Sequence, residues 1–176
     1  MTKITTATKL TLLRIVLVPV ILLILYLRLP FANWIALGVF IFASVTDTLD
    51  GYIARHYNQV SDMGKFMDPL ADKMLVLSVM CWFVQAGQME GWVLALVLLR
   101  EFAVTGLRLI AVEHGRVIAA AWSGKIKTVV TIVCLCFMMA FQYRWLDLTC
   151  QVLIVVLTFY SGIEYFIRNK DVLNGL

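Results

Sequence analysis

The chain has 176 residues, of which 62% are hydrophobic and only 15% charged, with a formal net charge of +4. A soluble domain carries roughly a quarter charged residues, so this composition excludes one and points to an all-α integral membrane protein with no nucleic-acid partner. About 20 apolar residues cross the hydrocarbon core, so the length allows about six spans and little else.

Apolar runs broken by polar residues, glycine or proline place spans near 10–29, 32–55, 66–86, 90–113, 122–143 and 147–167. The first run, Leu10 to Leu29, is long enough to be a span itself and is read as uncleaved. Thr8 stands where a side-chain hydroxyl caps the first helix, and Arg14 is expected to snorkel to lipid headgroups. Six helices put both termini on one side. Toward that side fall Lys3, Lys9, Arg14, Arg55, Lys65, Lys73, Arg116, Lys125, Lys127, Arg168 and Lys170, against only Arg28 and Arg144 at the opposite loops. By the positive-inside rule the terminal side is cytosolic. The outer connections around Pro30, Gly87 to Gly91 and Arg144 to Asp147 are short, so consecutive helices should be antiparallel neighbours in one six-helix bundle, a single domain over 1–176.

Trp34, Trp82, Trp92, Trp122, Tyr143, Trp145, Tyr160 and Tyr165 sit near span ends and read as interfacial anchors. Cys81, Cys134, Cys136 and Cys150 lie in or beside apolar runs without a Cys-x-x-Cys pair, so neither a disulfide frame nor a zinc site is expected.

Four acids interrupt this apolar pattern. The second span ends Asp47-Thr-Leu-Asp50-Gly51-Tyr-Ile-Ala54-Arg55, and eight residues later the third begins Gly64-Lys-Phe-Met-Asp68-Pro-Leu-Ala-Asp72. Spacings of three and four put each pair on one helical face, with about 5–6 Å between Cβ atoms. A carboxylate inside a span costs roughly 2.5–3.5 kcal/mol on insertion scales, and four converging anions also repel one another. Cations must sit between them. All-carboxylate donors suit Mg²⁺, Mn²⁺ or Ca²⁺, and four are enough for two ions, an arrangement that serves displacement at phosphorus. Gly51, Ala54 and Gly64 leave room for a polyphosphate to approach the backbone, and Arg55 offers a fork to a phosphate oxygen.

The pattern Asp-x-x-Asp-Gly-x-x-Ala-Arg, eight residues, Gly-x-x-x-Asp-x-x-x-Asp resembles the CDP-alcohol phosphotransferase family at every fixed position, and the span layout is similar to the family's. The resemblance implies that Asp47, Asp50, Asp68 and Asp72 hold two divalent ions at the diphosphate of CDP-diacylglycerol. It implies that Asp72 is also the general base, and that Gly51, Ala54, Arg55 and Gly64 line the cytidine diphosphate pocket. It further implies a homodimer in the cell membrane with its active site facing the cytosol. The family's Pro-Asn pair before Leu10-Thr11-x-x-Arg14 is replaced here by Ala7-Thr8.

Two more segments, Arg100-Glu101-Phe-Ala-Val-Thr-Gly-Leu-Arg108 and Gly124-Lys125-Ile-Lys127-Thr, are similar to the branch of the family whose acceptor is sn-glycerol 3-phosphate. Physically, Arg100 and Glu101 deep in a span must be paired or face a wet cavity. Arg108, Lys125, Arg100 and Arg116 are the candidate ligands of an anionic acceptor's phosphate. Lys127 and Arg116 also fit simple charge bias at a cytosolic loop touching anionic lipid. Rival readings are the same chemistry with inositol phosphate, serine or phosphatidylglycerol as acceptor, and, from another class, a cation transporter. A transporter would not need the small residues beside the acids, and its sites tend to the bilayer midplane.

Overall fold

Apolar runs of this length satisfy their backbone polar groups internally only as helices or closed barrels. The computed structural model describes residues 6–27, 29, 31–56, 62–113, 118 and 121–173, with side chains over 11–27, 29, 31–46, 71, 73–112, 118 and 121–171. Among these the elements are all helical: α1 (Thr6–Tyr26), α2 (Ala32–His56), α3 (Asp62–Gln85), α4 (Gly91–Glu113), α5 (Trp122–Ala140), α6 (Arg144–Arg168) and a final turn, α7 (Lys170–Leu173). Two of the six expected spans, Trp122–Ala140 and Arg144–Arg168, are long and apolar enough among the described residues to cross a membrane. Shorter apolar stretches occupy Thr11–Tyr26, Ala32–Thr46 and Lys73–Gln85, and α4 is interrupted by Arg100, Glu101 and Arg108.

The chain divides into two compact units, residues 1–85 with 139–141, and residues 86–138 with 142–176. In the first, α1 packs on α2 and α3. Its interior alternates large and small side chains: Ile21 and Leu25 from α1, Ala36, Phe40 and Ala43 from α2, and Ala71, Leu75, Val79, Met80 and Phe83 from α3. Spacings of three and four keep each set on one helical face. The α1–α2 connection turns at Phe31, whose φ of 68° puts a non-glycine residue in the left-handed region, at roughly 1–2 kcal/mol. Tyr26 donates its hydroxyl to Oε1 of Gln85, so α1 and α3 end side by side. Because α2 runs back along α1, its acid-bearing last turns and the acid-bearing first turns of α3 lie at the other end of this unit.

In the second unit α4 packs on α6 and meets α7. Gln151 fastens the loop that enters α4: its Oε1 accepts from the Glu90 amide (2.9 Å), and its Nε2 donates to the Gln88 carbonyl (3.1 Å). Gly87 supplies the positive φ (72°) that this turn requires. Helix α6 is built inside-out relative to a helix in water. Its buried face carries Asp147, Gln151, Thr158, Ser161 and Tyr165, while Val152, Val156, Phe159, Ile163 and Ile167 are exposed. Helix α5 repeats the pattern, burying Ser123, Lys127 and Thr131 and exposing Ile126, Val129, Val133 and Phe137. Lipid rather than water suits such an exterior, since polar groups in a span face the protein interior.

Several expectations from hydropathy need correction. Helix α1 begins at Thr6, so Thr8 lies within it and is not its cap. Arg14 is 1% exposed, buried in the first unit instead of reaching for headgroups. Lys127, 4% exposed, is likewise an interior residue. Among the aromatic anchors Trp34, Trp92, Trp122, Tyr143, Trp145 and Tyr160 are exposed, but Tyr165 is buried at 2% exposure. The four cysteines are free thiols, Cys134 and Cys150 buried.

Candidate active site

The first unit carries the acids. Asp47, Asp50, Gly51, Ala54 and Arg55 fall in the second half of α2, and Gly64, Asp68 and Asp72 in the first half of α3. The backbone thus keeps each aspartate pair on a continuous helix, with both acid-bearing segments at one end of the unit. The side chains of these eight residues lie outside the described ones. Thr46, one residue before Asp47, is buried and donates its hydroxyl to the Phe42 carbonyl at 2.7 Å, and Ala71, one before Asp72, is fully buried. Among the described residues no group of three or more His, Cys, Asp or Glu side chains is placed to hold a metal. The four carboxylates fit a hard dication by donor chemistry alone.

The second unit carries the basic candidates, and it treats them differently. Arg100 donates from Nη1 to Oε1 of Glu101 at 2.9 Å, and Lys127 donates from Nζ to the same oxygen at 2.8 Å. All three side chains are 13% exposed or less, so the cluster is a buried ion triad linking α4 to α5. Gly124 makes room for it: a Cβ there would lie 3.2 Å from Nη2 of Arg100. Lys125 is exposed and lies over the Trp122 ring, its Nζ 4.8 Å from the centroid. Arg108 is exposed on α4, donates from Nε to the Tyr165 hydroxyl at 3.0 Å, and sets its Cζ 5.6 Å from that ring's centroid. Arg116 lies outside the described residues. Lys127 and Tyr165, like Thr8 and Arg14, are residues whose places the sequence misassigned. A 3.6-residue count along α5 and α6 assigns the first two to the polar, inward faces.

Residues 4–160 match the family described as CDP-alcohol phosphatidyltransferase. The chain belongs to this family. It is therefore a phosphatidyltransferase, and family membership together with the two apolar helices makes it a membrane protein. Divalent metal ions are in general use in the family. The chain is 38% identical to the CDP-diacylglycerol–glycerol-3-phosphate 3-phosphatidyltransferase of Bacillus subtilis, over 94% of this chain and 95% of that one. It is 36% identical to a probable phosphatidylglycerophosphate synthase of Mycobacterium tuberculosis H37Rv, over 97% of this chain and 84% of that one. With the enzyme of Escherichia coli K12 that bears the same name as the Bacillus protein, identity is 34% over 90% of this chain and 91% of that one.

Proposed function

We propose that this protein transfers the phosphatidyl group of CDP-diacylglycerol to sn-glycerol 3-phosphate, releasing phosphatidylglycerophosphate and CMP. The observation that carries the reading is end-to-end similarity to proteins named for that reaction, 38% identical in the first case. It works as a single-domain six-span bundle with both termini in the cytosol, as a homodimer in the cell membrane. The positive-inside charge distribution and the inverted faces of α5 and α6 support that placement.

Asp47, Asp50, Asp68 and Asp72 hold two divalent ions, Mg²⁺ or Mn²⁺, which when bound neutralise the diphosphate. Gly51, Ala54, Arg55 and Gly64 line the cytidine diphosphate pocket. Asp72 takes the proton of the acceptor hydroxyl as its oxygen bonds to the β-phosphorus. The bond from that phosphorus to the bridging oxygen breaks, and CMP leaves with the electron pair. Arg108 binds the acceptor's phosphate as a planar fork, with Lys125, Arg100 and Arg116 adding positive charge.

CMP release by the purified protein in mixed micelles of CDP-diacylglycerol tests this. Turnover is expected with sn-glycerol 3-phosphate and divalent metal, and not with serine, inositol phosphate or phosphatidylglycerol. Faster release with any of those three would reassign the acceptor. Metal-dependent ion flux from liposomes with no CMP produced would instead make the protein a transporter. Arg108→Ala is expected to raise the Michaelis constant for sn-glycerol 3-phosphate about tenfold or more while changing that for CDP-diacylglycerol less than about twofold. Equal effects on both substrates would count against an acceptor site at Arg108.

A further inference from the structure

We propose that Tyr165 is a positioning residue which holds the Arg108 guanidinium by its inner nitrogen and leaves the outer edge free for a phosphate monoester. The inference rests on the assignment of Arg108 to the acceptor's phosphate. An arginine presents two hydrogen-bonding edges, one shared by Nε and a terminal nitrogen and one formed by both terminal nitrogens. Here Nε is committed to the Tyr165 hydroxyl at 3.0 Å. Among the described residues neither terminal nitrogen of Arg108 has a hydrogen bond or ion pair. The carboxylate nearest in sequence to Tyr165, Glu164, is occupied by Arg168 at 2.7 Å.

The phenol is a rigid anchor. Its ring belongs to a buried cluster with Val104, Leu107 and Ala111, against which Ile110, Ile118 and Phe166 pack. Its backbone carbonyl accepts from Nδ2 of Asn169 at 2.7 Å, fixing the last turn of α6. Val104, Leu107 and Ala111 lie on the same helix as Arg108, so the tyrosine reads the register of α4 and grips the exposed cation that follows Leu107. The ring face, 5.6 Å from Cζ, adds attraction without using a donor. A flexible side chain fixed in this way loses less rotamer freedom on binding, and its terminal edge matches two oxygens of a phosphate.

A free phosphate monoester and a lipid headgroup offer the same oxygens, and steady-state kinetics separates them. Tyr165→Phe keeps the ring and removes the hydroxyl. It is expected to raise the Michaelis constant for sn-glycerol 3-phosphate about tenfold, the loss of one hydrogen bond to a charged group, with kcat and the constant for CDP-diacylglycerol unchanged. In an Arg108→Ala background the same substitution should add nothing. An unchanged acceptor constant in Tyr165→Phe, an equal rise for both substrates, a fall in kcat alone, or full additivity with Arg108→Ala would each overturn the proposal. Should Tyr165→Phe fail to fold, Arg108→Lys keeps the tyrosine and the charge but lacks the gripped nitrogen, and a wild-type acceptor constant there would overturn it equally. If Arg108→Ala itself leaves the acceptor constant unchanged, the assignment of Arg108 fails, and with it this inference.

Discussion

Asp72→Asn is expected to lower kcat by about 10²–10⁴-fold, the range a positioned general base supplies, with the variant still folded and still binding the nucleotide. Asparagine matches aspartate in size and keeps one oxygen donor, so the helical backbone of α3 around it need not change. What it loses is the negative charge that receives a proton. Hydroxyl attack then proceeds without a local acceptor, and the barrier rises whatever the ground-state binding. Single-turnover CMP release, read beside nucleotide binding by calorimetry, separates the two effects. Wild-type turnover would remove Asp72 as the base. Recovery of full rate at high metal concentration would reduce it to a ligand, because added metal repairs a weakened site but does not restore a missing proton acceptor.

The helical setting of the aspartate motif was legible because it is local. Spacings of three and four along one helix fix which side chains share a face, and the backbone keeps those segments helical as expected. Helix ends were less so. Helix α3 begins at Asp62, four residues ahead of the apolar run, because Asp62, Gly64 and Lys65 end a hydropathy window without ending a helix. The facing of interior polar residues was not read at all by hydropathy. A window average treats Tyr165 as an anchor at a span end, whereas its place in the series Asp147, Gln151, Thr158, Ser161 marks the buried stripe of α6. In a membrane helix the polar stripe is the inward one, so periodicity must be read with the sign opposite to that used in water. Partnerships between helices were beyond the sequence. Nothing in it joins Lys127 on α5 to Glu101 on α4, or the Tyr165 hydroxyl to Arg108.

That Lys127–Glu101 contact carries the second large effect: Glu101→Ala is expected to destabilise the protein by about 3–5 kcal/mol, the usual cost of breaking a buried ion pair by removing one partner. Both Nη1 of Arg100 and Nζ of Lys127 point at a single oxygen, at 2.9 and 2.8 Å. Adjacent residues on a helix do not face each other, so Arg100 reaches Glu101 only by bending its long side chain. Gly124 leaves it space, since a Cβ there would lie 3.2 Å from its Nη2. Without the carboxylate, two cations would face one another where little water penetrates, and their repulsion would add to the lost attraction. The thermal midpoint in detergent should fall by roughly 10 °C for a chain of this size. Glu101→Gln, which keeps an acceptor but not the charge, should fall between that variant and the wild type. The sign of a double substitution decides the cause. Lys127→Met is expected to destabilise the wild type but to restore part of the loss in Glu101→Gln, because it then removes a cation that has lost the charge of Glu101. If both substitutions simply add, packing and not charge holds α4 to α5.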